Sequence, residues 1–182
     1  MSEIETLFAI PLFKYQVKNW EEKQKNLLTL HKKRSDAYVV AEEKDDHVLS
    51  DYHSLCDHDY WEEVASYFID ELEDFANTVE MHLQTNGYWF ESAKKGMYHG
   101  VHNHGAIGYS AVLYIQFDEE QHKAVTFVSP FNNFINGEPI YYYPEVKSGT
   151  LLFFPSSILH YTDPNTSDLE RIVFSFNLIP KY

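Results

Sequence analysis

The chain has 182 residues, 28 Asp and Glu against 14 Lys and Arg, a net charge of −14, and 44% apolar and 16% aromatic residues. It is long enough for a buried core and too apolar for disorder, and its acid excess argues against a protein that grips a phosphate backbone. The lone Cys56 excludes a disulfide framework or a Cys-rich zinc site, and no apolar run or basic leader marks a membrane helix or secretory signal, so a soluble, cytoplasmic protein is expected.

In chain order, residues 7–17 read as a strand interrupted at Pro11, followed by a helix from Trp20 to Lys33 with Asn19 and Glu22 at its start and Leu27 and Leu28 inside. Residues 42–58 are polar and read as loop. Asp59 precedes Glu62 with capping-box spacing. Trp61, Val64, Phe68, Leu72, Phe75, Val79 and Leu83 then recur at three- and four-residue steps, which predicts an amphipathic helix running to Asn86-Gly87.

Beyond residue 87 the period changes to two. Strands are predicted over residues 109–117, 124–128, 140–143, 150–154 and 171–179, with turns at Asn136-Gly137, Ser148-Gly149 and Asp163-Pro164. Only Pro11 and Gly87 of the 14 Gly and Pro precede residue 92, while residues 1–91 hold −12 of the net charge. The expectation is a mainly β chain with α-helices (α+β), a sandwich or barrel such as a jelly roll, with N-terminal helices packed outside. It is read as a single domain over 1–182: a helical N-terminal layer with one strand over 1–87, and a β core over 88–182.

Ten histidines are present, and three stand out: His102 and His104 as an H-x-H pair, and His160 56 residues after His104, just beyond the predicted strand over 150–154. On an extended segment residues i and i+2 point to the same side, so one strand end offers two imidazoles to one ion. A third ligand from a distant strand would close one face of an octahedron and leave the other open, as catalytic metals require. An ordinary surface or core histidine is the competing reading of each. The remaining seven, His31, His47, His53, His58, His82, His99 and His122, are read as non-ligands; His99, three before His102, is expected to face the other way. Arg171 opens the last strand and shares a face with Val173, Ser175 and Asn177. A buried Arg on that face needs an anion, for which a carboxylate fits. The alternative is a salt bridge to Glu170 or Asp168.

The combined order resembles the Fe(II)/2-oxoglutarate-dependent oxygenases, with their H-x-[D/E]…H…R order on a double-stranded β-helix (cupin-like). It resembles more closely a phage and bacterial branch with an H-x-H pair. The residues that carry this are Lys95-Gly96-Met97-Tyr98, His102-Asn103-His104, Ser110-Ala111-Val112-Leu113-Tyr114, Gly149-Thr150-Leu151-Leu152-Phe153-Phe154-Pro155-Ser156, His160, and Glu170-Arg171-Ile172-Val173-Phe174-Ser175-Phe176-Asn177, spanning about residues 88–179. The resemblance implies that His102, His104 and His160 are metal ligands, with His104 where most of the superfamily has a carboxylate. It implies that Arg171 pairs with the distal carboxylate of 2-oxoglutarate, helped by Tyr114 and Ser175. No catalytic residue separate from the metal ligands is implied.

The chemistry implied is a dioxygenase of hydroxylase type. It would use Fe(II), 2-oxoglutarate as co-substrate and O2, release succinate and CO2, and act on a protein residue or small molecule of unknown identity. The alternatives are a cupin-like three-His dioxygenase without 2-oxoglutarate, for which Arg171 has no use, and a non-catalytic binding module. The six Lys and Arg of the β half argue against a nucleic-acid partner. The acidic helices are expected to form a homodimer or partner surface, and the location is the host-cell cytoplasm if the chain is phage-encoded.

Overall fold

The structure, a computed structural model, describes residues 5–34, 38–40, 48–52 and 59–181. Cys56, His47, His53, His58 and most of the expected loop over 42–58 lie outside the described residues. The elements in order are β1 (Phe13–Gln16), α1 (Trp20–Lys33), β2 (Val39–Val40), β3 (Leu49–Ser50), α2 (Trp61–Ala65), a 3-10 turn (Ser66–Phe68) and α3 (Ile69–Thr78). They continue with β4 (Leu83–Ala93), β5 (His99–His102), β6 (Tyr109–Gln116), β7 (Val125–Asn132), β8 (Pro139–Tyr142), β9 (Thr150–Pro155), β10 (His160–Thr162) and β11 (Arg171–Pro180). The fold is mainly β, with two antiparallel sheets and few helices. One sheet has seven strands in the order β1-β9-β6-β11-β4-β3-β2, the other four in the order β5-β10-β7-β8. Among the described residues no helix is long and apolar enough to cross a membrane.

The central strands β9, β6 and β11 of the seven-stranded sheet are largely buried on both faces, which explains why they read as continuous apolar runs. Side chains alternate across a strand, so each strand supplies two cores. Leu151 and Phe153, Leu113 and Ile115, and Phe174 and Phe176 pack against the helical layer with Leu27, Phe68 and Phe75. Phe75 stacks flat on Phe153 with ring centroids 4.1 Å apart. Leu152 and Phe154, Tyr114, and Val173 face the smaller sheet, where Val125 and Phe127 of β7 meet them. A pocket lined by Tyr114, Val125, Phe154 and Val173 opens on this second face.

The long helix expected from Asp59 to Gly87 is shorter and broken. Asp59 gives no side-chain cap; Tyr60 occupies the N-cap of α2. α3 stops at Thr78 because the chain turns left-handed at Glu80 (φ 53), with Glu80 N–H donating to Asn77 O and Met81 N–H to Ala76 O. These two bonds make a Schellman stop, usually marked by glycine and here carried by glutamate. Leu83 therefore lies in β4, not in a helix. Asn86-Gly87 is a bulge inside that strand: Phe176 pairs with Tyr88 but Leu178 with Thr85, and Gly87 takes φ +139.

Gly108 is required where β6 begins. At φ +89 it lies against the Leu178 backbone, where any Cβ would collide with the Leu178 carbonyl oxygen. Its own carbonyl accepts Ser156 N–H at 3.1 Å, and Ser156 O in turn accepts His104 N–H at 2.9 Å. Gly108→Ala is expected to cost about 2–4 kcal/mol, since both the dihedral and the backbone contact must give. A urea midpoint that stays at the wild-type value would contradict this close approach.

Candidate metal centre

The three singled-out histidines meet. His102 ends β5, His160 opens the neighbouring β10, and the two are paired across the ladder. His104 follows in the loop and is carried back by the His104 N–H to Ser156 O bond, from the turn that precedes His160. One ring nitrogen from each lies within 4.8 Å of the others, and the ring centroids are 4.3 Å apart for His102 and His160. The turn Pro155–Ser157 sets His160: Ile158 N–H closes on Pro155 O, and Ile158 O accepts from His160 Nδ1 at 2.8 Å.

The donor chemistry fits a divalent metal ion. His160 Nδ1–H donates to Ile158 O and His102 Nδ1–H donates to Gly100 O, each at 2.8 Å. In the neutral ring such a bond puts the proton on Nδ1 and the lone pair on Nε2. Burial, reinforced by the neighbouring imidazoles with His102 foremost, pushes His160 down to about 3 and His104 down to about 4. Both are therefore neutral, and competent as ligands, at physiological pH.

Arg171 lies in the same pocket, 3% exposed, on the strand face with Val173 and Ser175. It donates to Lys123 O and Thr162 Oγ1, each at 2.9 Å, and to Asp163 O at 3.4 Å. All three acceptors are neutral. The expected competing salt bridge is not formed: Asp168 pairs with Lys95 at 2.9 Å, and Glu170 accepts from Ser92 Oγ. Burial lowers the guanidinium pKa, against the pull of Glu91, Tyr114 and Asp163. Among the described residues no carboxylate hydrogen-bonds this buried cation, and Glu91 acts on it only across the pocket, which makes it a strong place for an anionic ligand.

Tyr114 and Ser175 also line this pocket between the sheets. Tyr114 is 2% exposed and its oxygen accepts Val125 N–H at 3.1 Å, so its own O–H is left to donate elsewhere. Burial raises its pKa, which keeps the phenol protonated.

Three contributors were not anticipated. His99 does not face away from His102: their rings stack at 4.0 Å and 16°. The cause is a bulge. His160 pairs with His102 and Thr162 with His99, so three steps on β5 oppose two on β10 and both rings reach one side. Glu91, 7% exposed on β4, accepts from His99 Nδ1 at 3.1 Å. Burial alone would raise its pKa, but His99, then Arg171 and His102, hold the carboxyl well below the usual range. Thr162, two residues after His160 on the same strand face, meets Arg171. The signal for Thr162 was its i+2 spacing; for Glu91 it was the Trp89, Glu91, Ala93 alternation in the aromatic run at the end of β4. His122, read as a non-ligand, is buried: Nδ1 accepts Asp118 N–H at 3.1 Å and Nε2 faces Leu169 O at 2.9 Å.

Residues 87–177 match the model of a protein family described as "Putative 2OG-Fe(II) oxygenase". No curated protein matches the chain. Among solved structures it is similar to a Pseudomonas putida prolyl-4-hydroxylase at 12% identity and TM-score 0.69, covering 95% of this chain and 94% of that one. It is also similar to the viral collagen prolyl hydroxylase vCPH of Paramecium Bursaria Chlorella virus-1, solved with 2OG, at 16% identity and TM-score 0.62, covering 93% and 96%. HygX from Streptomyces hygroscopicus, solved with nickel, 2-oxoglutarate and hygromycin B, matches at 13% identity and TM-score 0.66, covering 94% and 83%. At these identities the structural likeness is one of fold.

Proposed function

The chain belongs to the 2OG-Fe(II) oxygenase family, and on that premise we propose that His102, His104 and His160 hold its Fe(II) while Arg171 holds 2-oxoglutarate. The protein is a 2-oxoglutarate-dependent dioxygenase of hydroxylase type, and its cofactors are Fe(II), 2-oxoglutarate and O2. The iron, once bound, couples O2 activation to conversion of 2-oxoglutarate into succinate and CO2. The two antiparallel sheets with the pocket between them support the finer reading of a double-stranded β-helix, and the packing of α1 to α3 on the seven-stranded sheet supports a single domain.

The residues supply binding and orientation. The Nε2 atoms of His102 and His160 are presented by their Nδ1 bonds to Gly100 and Ile158. Arg171, held by Lys123, Thr162 and Asp163, presents its remaining donor capacity to the distal carboxylate, with the Tyr114 phenol and Ser175 hydroxyl as further donors. The apolar walls Val112, Val125, Phe154 and Val173 exclude water around that carboxylate and so strengthen the pairing.

One observation carries the choice among chemistries: Arg171 is buried in the histidine pocket and no carboxylate among the described residues hydrogen-bonds it. A three-His dioxygenase that uses no keto acid gains nothing from such a cation and would bear its desolvation cost. The test is anaerobic: add Fe(II), then 2-oxoglutarate, and follow the metal-to-ligand charge-transfer absorption. The band is expected in the wild type, and its absence at saturating ligand contradicts the proposal. His160→Ala is expected to weaken metal binding by more than about 100-fold and abolish the band with it.

A further inference from the structure

The proposed ligand set consists of three neutral imidazoles, whereas the usual set in this superfamily includes a carboxylate. With Fe(II), the dianionic keto acid and Arg171 in place, three neutral ligands leave the pocket with one surplus positive charge. A charge of that kind in a buried site is costly unless compensated nearby.

Glu91 is the carboxylate that lines this pocket. It sits on β4 opposite Val173 of β11, two residues along from Arg171. It does not bind Arg171, whose donors go to Lys123, Thr162 and Asp163. It accepts instead from His99 Nδ1 at 3.1 Å, and the His99 ring lies at 4.0 Å and 16° on the ring of His102. His102 Nδ1 is already taken by Gly100 O, so a carboxylate cannot fix that ring by the usual direct bond. The β5 bulge brings His99 to the ligand side and makes the indirect route available.

We propose that Glu91, bonded to His99, whose ring lies on the face of His102, supplies the negative charge that the three-histidine set lacks and so acts as a positioning residue for the divalent metal. This rests on the reading of His102, His104 and His160 as ligands. Glu91→Gln isolates the charge, because the glutamine oxygen still accepts from His99 Nδ1–H and the side chain keeps its volume.

The test uses Co(II), which reports binding by visible absorption and calorimetry without turnover. Wild type is expected to bind one Co(II), and His160→Ala to lose it. Glu91→Gln is expected to bind about 10- to 100-fold more weakly, with an apo melting temperature close to wild type, and Glu91→Asp to regain most of the affinity. In the double variant Glu91→Gln/His104→Asp the anion returns as a ligand, and wild-type affinity or better is expected; a merely structural role for Glu91 gives no such rescue. Unchanged Co(II) affinity in Glu91→Gln, with binding lost in His160→Ala, overturns the inference while the ligand reading stands. Absence of binding in the wild type, or its retention in His160→Ala, overturns both.

Discussion

Arg171→Ala should lower 2-oxoglutarate affinity by about 30- to 4,000-fold while Fe(II) affinity changes by less than about threefold. Removing one partner of a buried charge pair costs about 2–5 kcal/mol, and each 1.4 kcal/mol is tenfold in affinity. The asymmetry between the two ligands follows from geometry. Arg171 is held by the Lys123 and Asp163 carbonyls and the Thr162 hydroxyl, and makes no hydrogen bond to the three histidines. Lysine at the same position is expected to recover only part of the loss, since one ammonium cannot present two parallel N–H groups to a carboxylate. Titrating the charge-transfer band gives the keto-acid affinity, and anaerobic calorimetry gives that of the metal. Equal loss of both, or loss of neither, would remove Arg171 from its proposed role.

Arg171 also marks how far the sequence could be read. Its strand, its face and its companions Val173 and Ser175 follow from a period of two, and β11 keeps that period through the pocket. Whether Glu170 or Asp168 would neutralise it depended on where Lys95 and Ser92 fall, which no local pattern encodes. α1 was legible to its ends, Trp20 and Lys33, because its apolar face and flanking residues are all local. β4 was not. Its helical disguise came from apolar residues that happen to keep helical spacing through Val79 and Leu83. The stop between them lies in a left-handed glutamate, Glu80, rather than in a glycine. Gly87 then looked like the missing stop, although it serves as a strand bulge. Glu91 went unseen with the strand that carries it, and His99 was placed on the wrong side because a bulge in β5 breaks the alternation on which that placement relied. The three histidines nevertheless meet, because His102 and His160 are paired across one ladder and His104 is tethered beside them.

The second large effect lies outside the pocket, at Asp51. This carboxylate is fully buried just after β3 and is the meeting point of four elements. It accepts from Arg34 Nε at 2.8 Å at the end of α1, from Tyr60 Oη at 2.7 Å at the start of α2, and from Phe90 N–H at 2.8 Å in β4. Arg34 lies over the Tyr60 ring at 4.0 Å, so the two partners are also coupled to each other. Asp51→Ala leaves a largely buried guanidinium, a buried phenol and a buried strand N–H without their shared acceptor. Breaking a buried ion pair from one side costs about 3–5 kcal/mol, and unsatisfied buried donors act in the same direction. For a chain of this length, 1 kcal/mol moves the melting temperature by about 2–4 °C, so a fall of about 6–20 °C is expected. Asp51→Asn keeps an oxygen for Phe90 N–H or Tyr60 and should cost less. Phe90 is next to Glu91 on β4, so the loss of Asp51 should also loosen metal binding, whereas His160→Ala should remove metal binding with little change in apo stability. A melting temperature for Asp51→Ala within about 2 °C of wild type would show that this junction does not hold the helical layer to the sheet.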